Sequence, residues 1–343
     1  MATNKNQHYV PQCYLRQFSV EGSRSAINLL NIDRKKFIEC ASIKSQCSKS
    51  YFYGEDLRLE KALQPIEGEY SSVIKLISKQ GYRLTDYHRN FLRRFWLLQN
   101  MRTEAASIRS IQMTDEMGEV VGADARQYRL ELKEAVQQSM EMFIEKINII
   151  DDLKICLIKN KSEVDFITSD DPAVLTNRWH IQNKHSKGIS FGLGSAGNIT
   201  LLPLTPRILC LGYDGDVYSI SHKKGWVDVR NKKDIQSFNE HQFLNCRANI
   251  FARDVNSQDS LLASLADIES NRPESRHKIH YAILDRNENG FKRYKVIDRN
   301  EADDHKEAIM HCQMISAQPN SWSKQIHWRN KGVVYTNGSG VGY

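Results

Sequence analysis

Apolar positions along this chain change their spacing twice, and each change predicts a change of secondary structure. Near the N-terminus Tyr14, Leu15 and Phe18 fall at helical spacing behind Pro11, which suits the first turn of a short helix. Residues 27–33 and 36–40 are strand-like, divide at a short polar turn and read as a hairpin. A third short segment, 50–53, ends at Gly54.

From residue 55 to about 150 the period becomes helical. Leu59, Leu63, Ile66, Tyr70, Val73, Ile74 and Ile77 recur at three and four residues, with Pro65 placed to kink or split the helix. Thr85 and Asp86 are cap candidates for a second helix. Its Phe91, Phe95, Trp96, Leu97 and Leu98 cover a wide arc, which predicts a central position. Gly118 and Gly122 mark a break before a third helix over about 123–150.

Beyond residue 151 the pattern returns to strands. Segments 153–159 and 163–168 read as a hairpin running into the turn Thr168-Ser169-Asp170-Asp171-Pro172. Segment 177–198, with Trp179, His180 and His185, reads as a long loop. Segments 199–204, 208–213 and 217–220 read as strands, with a turn at Asp214-Gly215. Helices are expected over about 232–251 and 257–269, and a last hairpin over 277–284 and 291–297.

The pattern predicts an α+β fold: a helical layer packed on a mostly antiparallel sheet of hairpins, without regular βαβ alternation. Its parts are an N-terminal arm and small hairpin (1–54), a helical region (55–150) and a β-rich region with two helices (151–299). A polar, flexible tail is expected over 300–343, with 1–299 forming one compact unit.

Composition narrows the class. The 343 residues are 40% hydrophobic and 26% charged, as in globular proteins. No run nears the roughly 18 apolar residues of a membrane span. The start MATNKNQHYVPQ has no apolar core of a secretory signal, so a cytoplasmic location is expected. The formal charge of +7 is compatible with a phosphate-bearing or nucleic-acid partner. Seven widely spaced cysteines with no CxxC pair predict free thiols rather than a zinc finger. GLGSAG at 192–197 precedes a strand rather than a helix, which excludes a dinucleotide fingerprint.

Candidate chemistry comes from polar residues set in apolar elements. Asp170 and Asp171 end a strand, where pockets concentrate, although Asp and Ser also simply cap such turns. Glu60 and Glu67, seven apart on one helix, could share a divalent metal or divide acid and base roles, or form a solvated edge. Gln99 and Arg102 lie on one face of a mostly apolar helix. An arginine there needs a protein carboxylate or an anionic ligand, and a direct or ligand-bridged pair between Arg102 and Asp170 is the simplest arrangement. His8 is expected to be held in place by the docked N-terminal helix.

The order HYVPQ-x-YLRQF, SYFYG, LEKALQPIE, QNMRT, FITSDDP, LPLTPR and FNEHQFLNCRANIFA resembles the bacterial family called domain of unknown function 4238, over about residues 7–252. The chain departs from that pattern at Cys13, where an aromatic is commoner, and at Glu104, where proline often follows Arg-Thr. Asp171 stands where asparagine is usual, which leaves Asp170 the stronger candidate. The resemblance implies a set of positions rather than a reaction, and the family's bacterial distribution suggests phage defence or genetic conflict.

Two functions are carried forward. One is a Mg²⁺- or Mn²⁺-dependent phosphodiesterase, most naturally a nuclease. In it His8, Arg102 and Asp170 would be catalytic, Gln12, Gln99, Thr103 and Ser169 would bind ligand, and Glu60, Glu67 and Asp170 would hold metal. The other is a non-catalytic ligand-binding or sensor module whose polar cluster is a structural network. A purely nucleic-acid-binding role, resting on charge alone, ranks third because no recognition motif is present. An open cleft favours the first; a sealed, mutually hydrogen-bonded cluster favours the second.

Overall fold

The computed structural model describes residues 5–121, 129–183, 190–301 and 307–329. Among them the helices are α1 (Gln12–Leu15), α2 (Arg58–Ile77), α3 (Asp86–Arg102), α4 (Glu104–Val121), α5 (Leu132–Glu145), α6 (Arg178–Gln182), α7 (Lys232–Asn245) and α8 (Gln258–Ile268). The strands through the first half are β1 (Asn6–His8), β2 (Ala26–Asn31), β3 (Lys36–Ser42), β4 (Ser48–Ser50), β5 (Lys154–Asn160), β6 (Thr168–Ser169) and β7 (Val174–Thr176). They continue with β8 (Ile199–Thr205), β9 (Ile208–Tyr213), β10 (Tyr218–Ser219), β11 (Trp226–Val229) and β12 (Asn249–Ala252). The last are β13 (His277–Glu288), β14 (Phe291–Val296), β15 (Ala308–Met314) and β16 (His327–Trp328).

The fold is α+β, with helices packed on mostly antiparallel sheets. A five-stranded sheet in the order β11-β5-β9-β8-β7 is central, and its one parallel pair is β11 with β5. Strand alternation divides its side chains between two cores. Ile155, Leu157, Leu202, Leu204, Ile208 and Cys210 face the core shared with α2 and α3. Cys156, Ile158, Ile199, Leu201, Leu209 and Leu211 face the core that includes Ile235 and Phe238 of α7. Burial on both faces explains why these strands read as nearly continuous apolar runs. A second sheet, β3-β2-β12-β6, packs on α7 and α8 through a third core.

Pattern reading placed most elements and misplaced several partners. The 27–33/36–40, 199–204/208–213 and 277–284/291–297 hairpins form as expected. Segments 153–159 and 163–168 do not pair: β5 joins β9 and β11, while β6 joins β12 in the other sheet. Residues 48–50, not 50–53, form a strand, and it pairs with β1. Pro65 leaves α2 continuous. The expected long helix over 232–251 ends at Asn245, and 249–252 is strand. Part of the expected third helix, and His185, lie outside the described residues; α5 covers 132–145, and residues 146–150 are turn rather than helix. The polar segment after 300 is not a free tail where it is described. β15 pairs with β13, β16 pairs with β10, and Ser323 and Lys324 bond to Asp234 of α7. Residues 330–343 lie outside the described residues.

One departure positions the site. The helix expected to run on past residue 103 breaks there: Thr103 is extended, with ψ 157°, and its Oγ1 accepts the Ala106 N–H to start α4. Arg102 and Thr103 therefore sit at a corner between two helices.

The N-terminal arm docks as its apolar face predicts. Tyr14, Leu15 and Phe18 are fully buried. The Tyr14 hydroxyl donates to the Pro203 carbonyl at 2.6 Å and lies 2.7 Å from Thr168 Oγ1. Tyr14→Phe should leave that buried carbonyl short of a donor and lower stability by about 1–3 kcal/mol in urea titration. Deletion of residues 1–20 should lower the melting temperature further, and unchanged melting would contradict this account of the arm.

Candidate functional site

Two polar networks meet at the α3–α4 corner. The first is built on Arg102, whose side chain is 1% exposed. Its Nε donates to Tyr53 Oη at 2.8 Å. Its Nη2 donates to the His8 carbonyl at 2.9 Å and to Glu67 Oε1 at 3.0 Å. Burial opposes the guanidinium charge, but Tyr53 and Glu67 outweigh it and hold its pKa above the ordinary value. Nη1 is buried and has no hydrogen-bond partner among the described residues. Gln99, three residues earlier on the same helix, is fully buried, and neither end of its amide has a partner. Buried amides without partners are rare in folded proteins.

Glu60, Glu67 and His8 beside this network are partly buried. Glu60 is pushed upward by burial and then by the neighbouring Glu67 charge, against the pull of Arg102. The His8 imidazole is lowered chiefly by burial, with Arg102 and Arg16 acting the same way and its bond to the Lys44 carbonyl opposing. That bond is 3.1 Å long, and β1–β4 pairing sets His8 opposite Ser48, so the residue is held as expected. Gln7 fixes the same arm from its buried side: it donates to Gly54 O at 3.0 Å and accepts Tyr53 N–H at 2.5 Å. Gly54 has φ 117°, a conformation that requires glycine, which accounts for the last letter of SYFYG. Gln12 accepts from Arg16 at 3.0 Å. The Cys13 thiol, raised to about 11 by burial and the Glu67 charge, donates to the Glu67 carbonyl at 3.7 Å.

The second network is built on the Ser-Asp-Asp-Pro turn and is sealed. Asp170 accepts the backbone N–H of Arg247 at 2.8 Å, of Ala248 at 2.9 Å and of Asn249 at 2.9 Å. Burial nevertheless raises its pKa to about 6, with the adjacent Asp171 charge adding to the effect of burial against the three N–H donors. Asp171 is fully buried, accepts Thr103 Oγ1–H at 2.8 Å and pairs with Arg109 Nη1 at 2.5 Å. Ser169 donates to Gln242 at 2.8 Å. Asn239, Gln242 and Asn245 of α7 satisfy backbone groups of Asp165, Ile167, Asp171 and Pro172.

Of the residues singled out in the sequence, His8, Glu60, Glu67 and Arg102 come together, with Gln99 on the Arg102 face of α3 and Gln12 on the adjoining arm. Thr103, Ser169 and Asp170 fall in the second network. The expected Arg102–Asp170 pair does not form, because Glu67 takes the guanidinium and the 247–249 backbone takes Asp170. No three His, Cys, Asp or Glu side chains among the described residues are arranged to hold a metal ion. Both Asp170 carboxylate oxygens are taken by the backbone N–H groups of residues 247–249, in the network apart from Glu60 and Glu67. Sequence reasoning missed Tyr53, Arg109 and Asp171's ion pair. It also assigned no role to the α7 amides Asn239, Gln242 and Asn245, whose spacing of three residues, interleaved with Phe238, Phe243 and Leu244, was the available signal. A groove of about 880 Å³ lies between α7, α8 and residues 320–324; Asp165, Ile167 and Asn239 at the edge of the second network line it, and no residue of the first network does.

Asn at position 170 would turn an N–H donor toward other N–H donors. Asp170→Asn should therefore destabilise the protein at pH 7.5 by on the order of 3 kcal/mol in urea titration. A melting curve superimposable on the parent's would show that the 247–249 contacts do not depend on the charge.

A family model described as protein of unknown function (DUF4238) matches residues 6–256. No curated protein and no solved structure matches the chain.

Proposed function

The chain belongs to the DUF4238 family, and on that footing we propose that it is a ligand-binding module whose first network takes a small phosphate-bearing molecule. The observation that carries this reading is the orphaned set inside it: Arg102 Nη1 and both ends of the Gln99 amide. Arg102 Nη1 and Gln99 Nε2 are two donors suited to phosphoryl oxygens. Gln99 Oε1 is an acceptor for a hydroxyl on the same ligand. Glu67 already pairs with the Arg102 guanidinium, so the remaining donor favours selectivity by hydrogen bonding over simple charge attraction. Glu60, with its raised pKa, exchanges its charge more easily than an ordinary carboxylate when an anion approaches. His8, whose carbonyl accepts from Arg102 and whose side chain is partly exposed, would contact a ligand reaching that guanidinium.

A second reading is metal-dependent phosphodiester cleavage, as by a bacterial nuclease in phage defence. One observation favours it: Glu60, Glu67 and His8 all lie close enough to Arg102 for its charge to act on them or pair with them. Mg²⁺ is commonly held by one or two carboxylates together with water and substrate phosphates, and Glu60 and Glu67 would be those carboxylates here. His8, kept toward its neutral form by burial, could accept a proton, and Arg102 could stabilise charge on a phosphoryl oxygen.

Gln99→Leu separates these readings from a purely structural network. Removing an amide that has no protein partner should leave the melting temperature unchanged or higher. It should also weaken binding of inorganic phosphate and of nucleoside monophosphates by about 10-fold or more in calorimetric titration, the loss of one charge-assisted or two neutral hydrogen bonds. Equal binding by parent and variant, or none by the parent, would overturn the proposal. Cleavage of labelled DNA or RNA in Mg²⁺ or Mn²⁺, lost in a folded His8→Ala variant, would favour the second reading.

A further inference from the structure

The three-stranded sheet β14-β13-β15 lies beyond the stretch matched by the family, and its two edges are treated differently by the sequence. β14 carries Lys292, Arg293 and Lys295 within six residues, a charge density that blocks edge-to-edge pairing. β15, Ala-Ile-Met-His-Cys-Gln-Met, carries no acidic or lysine or arginine side chain along seven residues. Among the described residues its outer edge has no neighbouring strand.

Hydrogen-bond register identifies which backbone groups that edge presents. Leu284 N–H donates to Glu307 O at 2.8 Å, and Ile315 N–H donates to Arg276 O at 2.8 Å. Antiparallel strands alternate bonded and non-bonded pairs. Odd-numbered β15 residues therefore bond inward to β13. Ala308, Met310, Cys312 and Met314 point their N–H and C=O groups outward. The same edge is apolar in its side chains. Ile309 is 44% exposed and Met314 42% exposed. Ile309 is registered with Ala282 and Ala282 with Val296, itself 59% exposed, so an apolar row crosses the sheet and ends at the bare edge.

We propose that β15 is an interface for a second copy of this chain, joined by antiparallel β15–β15 pairing into a continuous six-stranded sheet. The strand is its own complement: it is uncharged at neutral histidine, and a two-fold axis at His311 pairs all seven of its residues. An isologous contact of this kind closes at two subunits. The basic β14 edges, left at the outside of the joined sheet, stop further growth.

Multi-angle light scattering of the full chain across a concentration series tests this. The parent should show twice the chain mass at high protein concentration and dissociate on dilution. Met310→Pro removes an outward N–H but no β13 bond, and Ile309→Lys puts a charge on the exposed row. Both should run at the monomer mass with circular dichroism spectra like the parent's. A monomeric parent at every concentration, or a dimer that survives in both folded variants, would overturn the proposal.

Discussion

A guanidinium cannot discharge itself by losing a proton at any ordinary pH, so burying Arg102 obliges the chain to bring partners to it. Those partners come from three places far apart in sequence: the His8 carbonyl, the Tyr53 hydroxyl and the Glu67 carboxylate. Each fixes an element. The first holds the N-terminal arm, the second the turn after β4, the third the middle of α2. Removing Glu67 would strand a buried charge, a change that costs about 3–5 kcal/mol where both partners are buried, and less here because Glu67 is partly exposed. The arrangement thus sets the geometry of the arm against the helices more than it adds net stability.

The break at Thr103 doubles the use of the same corner. Arg102 faces the arm and α2, while Thr103 reaches Asp171 and starts α4. On that second side, Asp170 and Asp171 are consumed by backbone donors and by Arg109. The acidic turn therefore works as a clamp between the end of α7, β12 and α4. It holds together the two sheets whose strands carry it. On the Arg102 side, by contrast, Arg102 Nη1 and the Gln99 amide have no hydrogen-bond partner among the described residues.

Much of the fold was legible. Short, nearly continuous apolar runs marked β5, β8 and β9, which are buried on both faces, and helical spacing marked α2 and α3. Strand partners were less legible, since β5 and β6 are adjacent in sequence yet belong to different sheets. The segment after residue 300 misled because its polar composition hides strands that pair mainly through backbone groups. Of the polar residues that stood out in the sequence, His8, Glu60, Glu67 and Arg102 lie together in the structure. Which carboxylate meets Arg102 was not readable. Asp170 and Glu67 are equally acidic in a sequence, and only the path of the chain decides between them. Asp171 was discounted as a departure from the family pattern, yet it forms the buried ion pair with Arg109.

The central claim is that Arg102 keeps one donor free for a ligand while its other donors hold the fold. The resonances of Arg102 in arginine-labelled protein, followed by nuclear magnetic resonance during titration with inorganic phosphate, test it most directly. The account predicts a saturable shift at Arg102 that is absent at arginines paired with carboxylates elsewhere, such as Arg253 on Asp165. No shift at Arg102, or a uniform drift across all arginines, would contradict it.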